Sequence, residues 1–171
     1  MMLEWQSGAG AERKTMRRKD REVTDAQEIS AILKRCDTVR IGISDGEYPY
    51  VVPVSFGVEI SDGSPIIYFH CARQGHKLEL LGERKPVSVE ADTFFKVQKT
   101  KIGITTRYER VMGTGICERV RDPDEVLKGL RLLLEHYGQS GYPLDRFRGL
   151  EHLFVYRIVL HELTGKQNLP E

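Results

Sequence analysis

Pro49-Tyr50-Val51-Val52-Pro53-Val54-Ser55-Phe56-Gly57-Val58-Glu59 is the stretch on which the fold turns. Its β-branched and aromatic residues read as one long strand over residues 48–59. Pro53 has no N–H to give a ladder, so the strand is expected to bulge there or to lie at a sheet edge. Just upstream, Val39, Ile41 and Ile43 alternate with Arg40, Gly42 and Ser44, and Asp45-Gly46 supplies a hairpin turn. Just downstream, Ser61-Asp62-Gly63-Ser64 is a second turn and residues 66–71 a third strand. Three strands joined by short turns predict an antiparallel meander.

Further out, Thr24 with Gln27 and Asp25 with Glu28 fit a capping box, and Ile29, Ile32, Leu33 and Cys36 form one helical stripe. After a loop at residues 72–75, residues 76–81 read as a short helix closed by Gly82. Residues 87–92 alternate as a fourth strand, and residues 93–106 fit either its continuation or a long excursion. Residues 107–121 form a fifth strand, which Gly113 and Gly115 should bend or bulge. Asp122, Pro123 and Glu125 open a second long helix, with Val126, Leu127, Leu130, Leu133, Leu134 and Tyr137 as its buried stripe and Gly138 as its stop. Residues 153–163 are the sixth strand. The expected fold is mainly β (α+β), a six-stranded antiparallel barrel with flanking helices.

Composition narrows the function. The 171 residues carry 26 Lys plus Arg against 25 Asp plus Glu, which removes the electrostatic case for a nucleic-acid binder. No run approaches the ~20 apolar residues of a membrane helix, and no signal-like segment follows the start. Cys36, Cys71 and Cys117 make an odd, unpaired set that fits a reducing cytoplasm. Residues 1–22 hold six basic residues, including Arg13, Lys14, Arg17 and Arg18, and read as a partly flexible arm ahead of a domain at residues 23–171. Met1 and Met16 are both possible starts.

Three segments carry candidate chemistry. In Phe69-His70-Cys71-Ala72-Arg73-Gln74-Gly75-His76-Lys77 a strand runs through a loop into a helix start, where free N–H groups and Lys77 suit an anion. In Arg107-Tyr108-Glu109-Arg110-Val111 the two arginines could fork a phosphate, or line a charged strand edge. In Val52-Pro53-Val54-Ser55 an irregular strand leaves backbone groups free for a flat heterocycle. His136, His152 and His161 show no metal-ligand spacing, and no metal is expected.

Taken in order, these segments resemble the FMN-binding split-barrel family related to pyridoxamine 5′-phosphate oxidase, and within it the branch of nitroimidazole-resistance proteins. Met16-Arg17-Arg18-Lys19-Asp20-Arg21-Glu22-Val23 and Leu163-Thr164-Gly165-Lys166 also match, so the likeness spans residues 16–168. It implies a Greek-key split barrel and a homodimer with FMN at its interface. It implies cofactor contacts from Val52, Pro53, Val54 and Ser55 along the ring. It places His70, Cys71, Ala72, Gly75, His76 and Lys77 around the phosphate loop, and Tyr108, Arg110 and Val111 on the bent strand. Gly75 and His76 stand where the oxidase has Ser and Arg, and its own substrate residues are not evident. His70 is the one catalytic candidate; it is also readable as a satisfied histidine at a strand end. Cys71 is read as a reactive thiol only if exposed beside the helix start, and otherwise as a small residue that lets the ring approach.

The function expected is a flavin-dependent oxidoreductase that passes electrons from NAD(P)H to a small acceptor, with nitroaromatics as one class. The alternatives are a flavin carrier or sensor without turnover, and a haem protein that uses His70 as ligand.

Overall fold

The computed structural model describes residues 16–144 and 148–170; residues 1–15, and with them most of the expected basic arm, lie outside the described residues. The strands are β1 (Glu22–Val23), β2 (Val39–Ile43), β3 (Tyr50–Val54), β4 (Gly57–Ser61), β5 (Ser64–Ala72), β6 (Arg84–Thr100), β7 (Gly103–Arg119) and β8 (Leu153–Asn168). The helices are α1 (Ala26–Arg35), α2 (His76–Leu81) and α3 (Pro123–His136). All pairings are antiparallel, in the order β3-β2-β6-β7-β8-β5-β4, with β1 beside the end of β8.

The stretch around Pro53 is two strands rather than one, which corrects the expected meander. β3 pairs only with β2 and β4 only with β5, so they form opposite edges of the sheet. Pro53 therefore sits on an edge, where its missing donor costs nothing. Only Ser55 and Phe56 join the two edges. Such a link spans about 11 Å at full extension, so the sheet must curl until its edges meet without a ladder between them. That is a split barrel. Dividing the long strand and adding β1 raises the described strands from the expected six to eight.

The open question over residues 93–106 resolves as continued strand. β6 and β7, 17 residues each, form one hairpin turning at Lys101 and Ile102. The expected bend in β7 is present: its register against β8 shifts between Thr114 and Gly115. A Cβ at Gly115 would lie 2.4 Å from the Val159 carbonyl oxygen, so only glycine permits this crossing.

The barrel interior holds Val39, Ile41, Ile43, Phe69, Val89, Tyr156 and Ile158, plugged by the predicted α1 stripe Ile29, Ile32, Leu33 and Cys36. Asp25 caps α1 by accepting from the Gln27 N–H at 2.8 Å, and Asp122 caps α3 by accepting from the Glu125 N–H at 2.8 Å. Gly138 ends α3 at φ 71°, with the Gln139 N–H donating to the Leu134 carbonyl at 2.7 Å.

The stripe on α3 differs from expectation. Gly129 and Leu130 are buried, while Val126, Leu127, Leu133, Leu134 and Tyr137 are half-buried. The helix meets the sheet through glycines. A Cβ at Gly129 would lie 2.8 Å from the Tyr68 ring, and one at Gly57 would lie 2.4 Å from the backbone of Leu132 and Leu133. This approach seats α3 on the outer face, over a second small core of Tyr68, Val120, Leu130 and Val155.

Candidate functional site

Alternation along β5 sorts the first group of candidates. Phe69 and Cys71 face the barrel core; His70 and Ala72 face outward and are exposed. The β4–β5 ladder begins with Gly57 opposite Tyr68, so Ser55 and Phe56 lie just before it on one strand and His70 just beyond it on the other. Beyond Ala72 the loop turns at Gly75, whose φ of 122° only glycine adopts readily, and its carbonyl accepts from the Leu78 and Glu79 N–H groups to open α2. His76 packs edge-on against Tyr50 of β3. The structure thus gathers the β3 edge, the end of β5 and the start of α2 at one end of the barrel.

Cations mark that end. Lys77 Nζ stands 5.8 Å from the Phe69 ring centroid, and the Arg73 guanidinium 5.0 Å from the Phe154 centroid. Neither has a carboxylate partner among the described residues. Sequence reading passed over Arg73; the available signal was a second basic residue in the same glycine-containing loop. His76 is different: its Nε2 is 2.7 Å from Asp45 and its Nδ1 3.5 Å from Glu79. The Asp45 hydrogen bond, with a smaller part from Glu79, raises the imidazole above its ordinary pKa. His76 therefore spends its charge as a clamp between α2 and the β2–β3 loop.

Although His70 is exposed overall, partial desolvation of its ring, then the charge of Lys77, lowers its pKa below the ordinary value. Cys71 is buried, so the exposure that a reactive thiol requires is not met, and burial raises the thiol's pKa. The side chains of Cys71, Val54 and Val111 lie in the core, so at the site these residues can offer only main-chain atoms. Val52 is half-buried against that core; Pro53 and Ser55 are exposed.

The second group lies elsewhere. Along β7, Arg107, Glu109 and Val111 point inward and Tyr108 and Arg110 outward. The expected Arg107–Arg110 fork is not formed, because three residues along a strand reverse the face. Arg107 donates to Gln98 Oε1 at 2.9 Å and to Asn168 Oδ1 at 3.1 Å. Glu109, 1% exposed, receives a bidentate grip from Arg35 at 2.9 and 2.7 Å. Outside, the Arg110 guanidinium lies 5.5 Å from the Tyr108 ring centroid, and Lys166 of β8 sits directly opposite Arg110. Burial would raise the Tyr108 phenol, but the Arg21 hydrogen bond and the charges of Lys166 and Arg110 outweigh it and lower the pKa.

The two groups are far apart within one chain. His70 faces Val155 and Arg110 faces Lys166, eleven residues further along β8. That is about 36 Å of strand contour. No His, Cys, Asp or Glu cluster able to hold a metal occurs among the described residues, and all three cysteines are free and buried. No described helix is long and apolar enough to cross a membrane.

The family model for pyridoxamine 5′-phosphate oxidase matches residues 25–167. The chain belongs to that family. The match runs from the α1 cap to the end of β8, and so takes in both groups of candidate residues. Among solved structures, a candidate 5-nitroimidazole antibiotic resistance protein from Bacteroides thetaiotaomicron is 27% identical, with a TM-score of 0.69 and 85% of each chain covered. The flavocytochrome Anf3 from Azotobacter vinelandii gives 0.74 at 18% identity, covering 91% of this chain and 73% of that one. An FAD and heme binding protein from Mycobacterium smegmatis gives 0.73 at 15% identity, covering 88% and 76%. The last two speak for the fold alone. The search of curated proteins found no match.

Proposed function

We propose that this member of the pyridoxamine 5′-phosphate oxidase family binds FMN between two copies of the chain and reduces a small organic acceptor with NAD(P)H, in the cytoplasm. The observation that carries the reading is the separation of the two candidate groups. Lys77 with Arg73, and Arg110 with Lys166, are cation pairs at opposite ends of β8. One flavin reaches both only if a second chain brings its β7 to the first chain's β5–α2 end.

The residues fit a monophosphate. Lys77 and Arg73 offer two unneutralised charges beside a glycine turn that lets backbone approach closely. The exposed β3 edge at Pro53 and Ser55, with Val52 behind it, offers an apolar wall and unpaired backbone groups to a flat ring. Tyr108 and Arg110 would come from the second copy. His70, exposed on the outer face of β5, can give or take a hydrogen bond beside the ring. Bound flavin would supply two-electron chemistry; the chain orients it and keeps its phosphate neutralised. No acid–base residue is needed for that role, and a nitroaromatic is the acceptor class we propose to test.

A second reading, haem held by His70, is favoured by the imidazole standing exposed on the outer face of β5. The absorption spectrum of the purified protein separates the two. A flavin band, with FMN as the mass of the released chromophore, supports the first. A Soret band supports the second, and a released FAD contradicts the monophosphate assignment. NAD(P)H oxidation that depends on an added nitroaromatic distinguishes an oxidoreductase from a flavin carrier.

A further inference from the structure

The β6–β7 hairpin outruns the rest of the sheet. β2 reaches only Glu90 of β6, and β8 ends with Asn168 opposite Tyr108. From Lys96 opposite Arg107 to Thr100 opposite Gly103 the hairpin is a two-stranded ribbon with no third strand. It projects about 17 Å past Tyr108. Such a ribbon is marginal in water unless one face packs on something.

Its two faces differ. One is stitched by Arg107 to Gln98 and Asn168. The other carries Phe94, Val97 and Ile104, which are 60%, 61% and 72% exposed, and the tip residue Ile102 is 99% exposed. The register sets Phe94 opposite Tyr108, and Val97 and Ile104 lie on that same side. This face continues through Thr106 to Tyr108 and Arg110. Lys99, opposite Ile104, lies on it, Lys96, opposite Arg107, lies on the other face, and Lys101 is at the tip; none of the three has an ion-pair partner among the described residues.

We infer that this ribbon is an arm that clasps a second copy of the chain, laying Phe94, Val97 and Ile104 against the partner's β2–β3 loop and β3 edge. The inference rests in part on the flavin reading, which puts Tyr108 beside the other copy's Lys77. An arm rooted at Tyr108 must then run on past that loop. Asp45 is bonded to His76 there, and Tyr48 and Val51 of the same hairpin are 74% and 59% exposed. Asp45 and Glu47 are acidic where the arm is basic. Apolar stripe meets apolar edge, and lysines meet carboxylates. A two-fold axis makes each chain give one arm and receive one, and each pocket takes Phe94 as a wall from its neighbour.

The test uses the full chain without added flavin. The wild type should run by light scattering at twice the 19.6 kDa of one chain. Val97→Glu with Ile104→Glu should raise the dimer dissociation constant on the order of 100-fold at unchanged far-ultraviolet circular dichroism. Lys99→Glu and Glu47→Lys should each weaken the dimer and together restore it, which also covers the case where the double-Glu variant misfolds. A folded double-Glu variant that stays dimeric, or a charge swap without rescue, overturns the inference. So does an arm-dependent binding of wild type to phosphatidylserine vesicles with no effect on the dimer, which would assign the stripe to a membrane surface. FMN titration is scored separately. A flavin-free dimer broken by these changes keeps the arm and removes the flavin; an FMN-binding dimer indifferent to them does the reverse.

Discussion

Lys77 shows how a single charge is left for use. Its neighbour His76 is consumed by Asp45 and Glu79, while Lys77 lies near an aromatic ring with no carboxylate partner among the described residues. Lys77→Ala should therefore weaken FMN binding by about 1–3 kcal/mol in a fluorescence titration; unchanged affinity would remove Lys77 from the phosphate site. His76 makes a different prediction. Its pKa is raised, so the clamp contributes fully below the ordinary value of 6.5 and is lost as pH climbs through the raised one. An NMR titration should find His76 titrating above 6.5, and Asp45→Asn should bring it back down. A His76 that titrates at 6.5 in the wild type contradicts the clamp. Glu109 is the third case: a carboxylate almost without exposure, held by Arg35. Arg35→Ala leaves it buried and alone and should cost about 3 kcal/mol in a denaturant melt, whereas Glu109→Gln should cost less. Equal, small losses would show that the pair is not buried in effect.

Among the elements, α3 depends on the absence of side chains where it crosses the sheet. Gly57→Ala puts a methyl 2.4 Å from the α3 backbone, which cannot yield as a side-chain tip would. It should destabilise the fold by about 1–3 kcal/mol, read as a lowered Tm. An unchanged Tm would mean that the helix sits further out. The same crossing explains what the sequence could and could not say. The caps of α1 and α3, the stop at Gly138 and the bend near Gly115 were legible, because each depends on residues a few positions apart. The buried line on α3 was not: Gly129 makes contact through having no Cβ, and an apolar count rewards the leucines beside it. The split at Ser55 and Phe56 was hidden too. Two strands of one β-rich run look continuous unless their partners are known, and those partners lie on opposite edges of the sheet. Arg35 with Glu109 was half legible. Alternation with Val111 marks Glu109 as inward, but which arginine meets it is a matter of tertiary packing.

At the scale of the whole molecule, Lys77 with Arg73 and Arg110 with Lys166 lie at two ends of one long strand. Inside a single chain that arrangement has no use for one small anion. Across the proposed dimer it would become one pocket, with Lys77 and Arg73 of one copy on the phosphate and Tyr108 and Phe94 of the other over the ring. The most direct test is gel filtration of protein loaded with excess FMN, with absorbance followed at both the protein and flavin bands. The account predicts coincident peaks at twice 19.6 kDa with one flavin per chain. A colourless protein peak, or flavin travelling with the single chain, would contradict it.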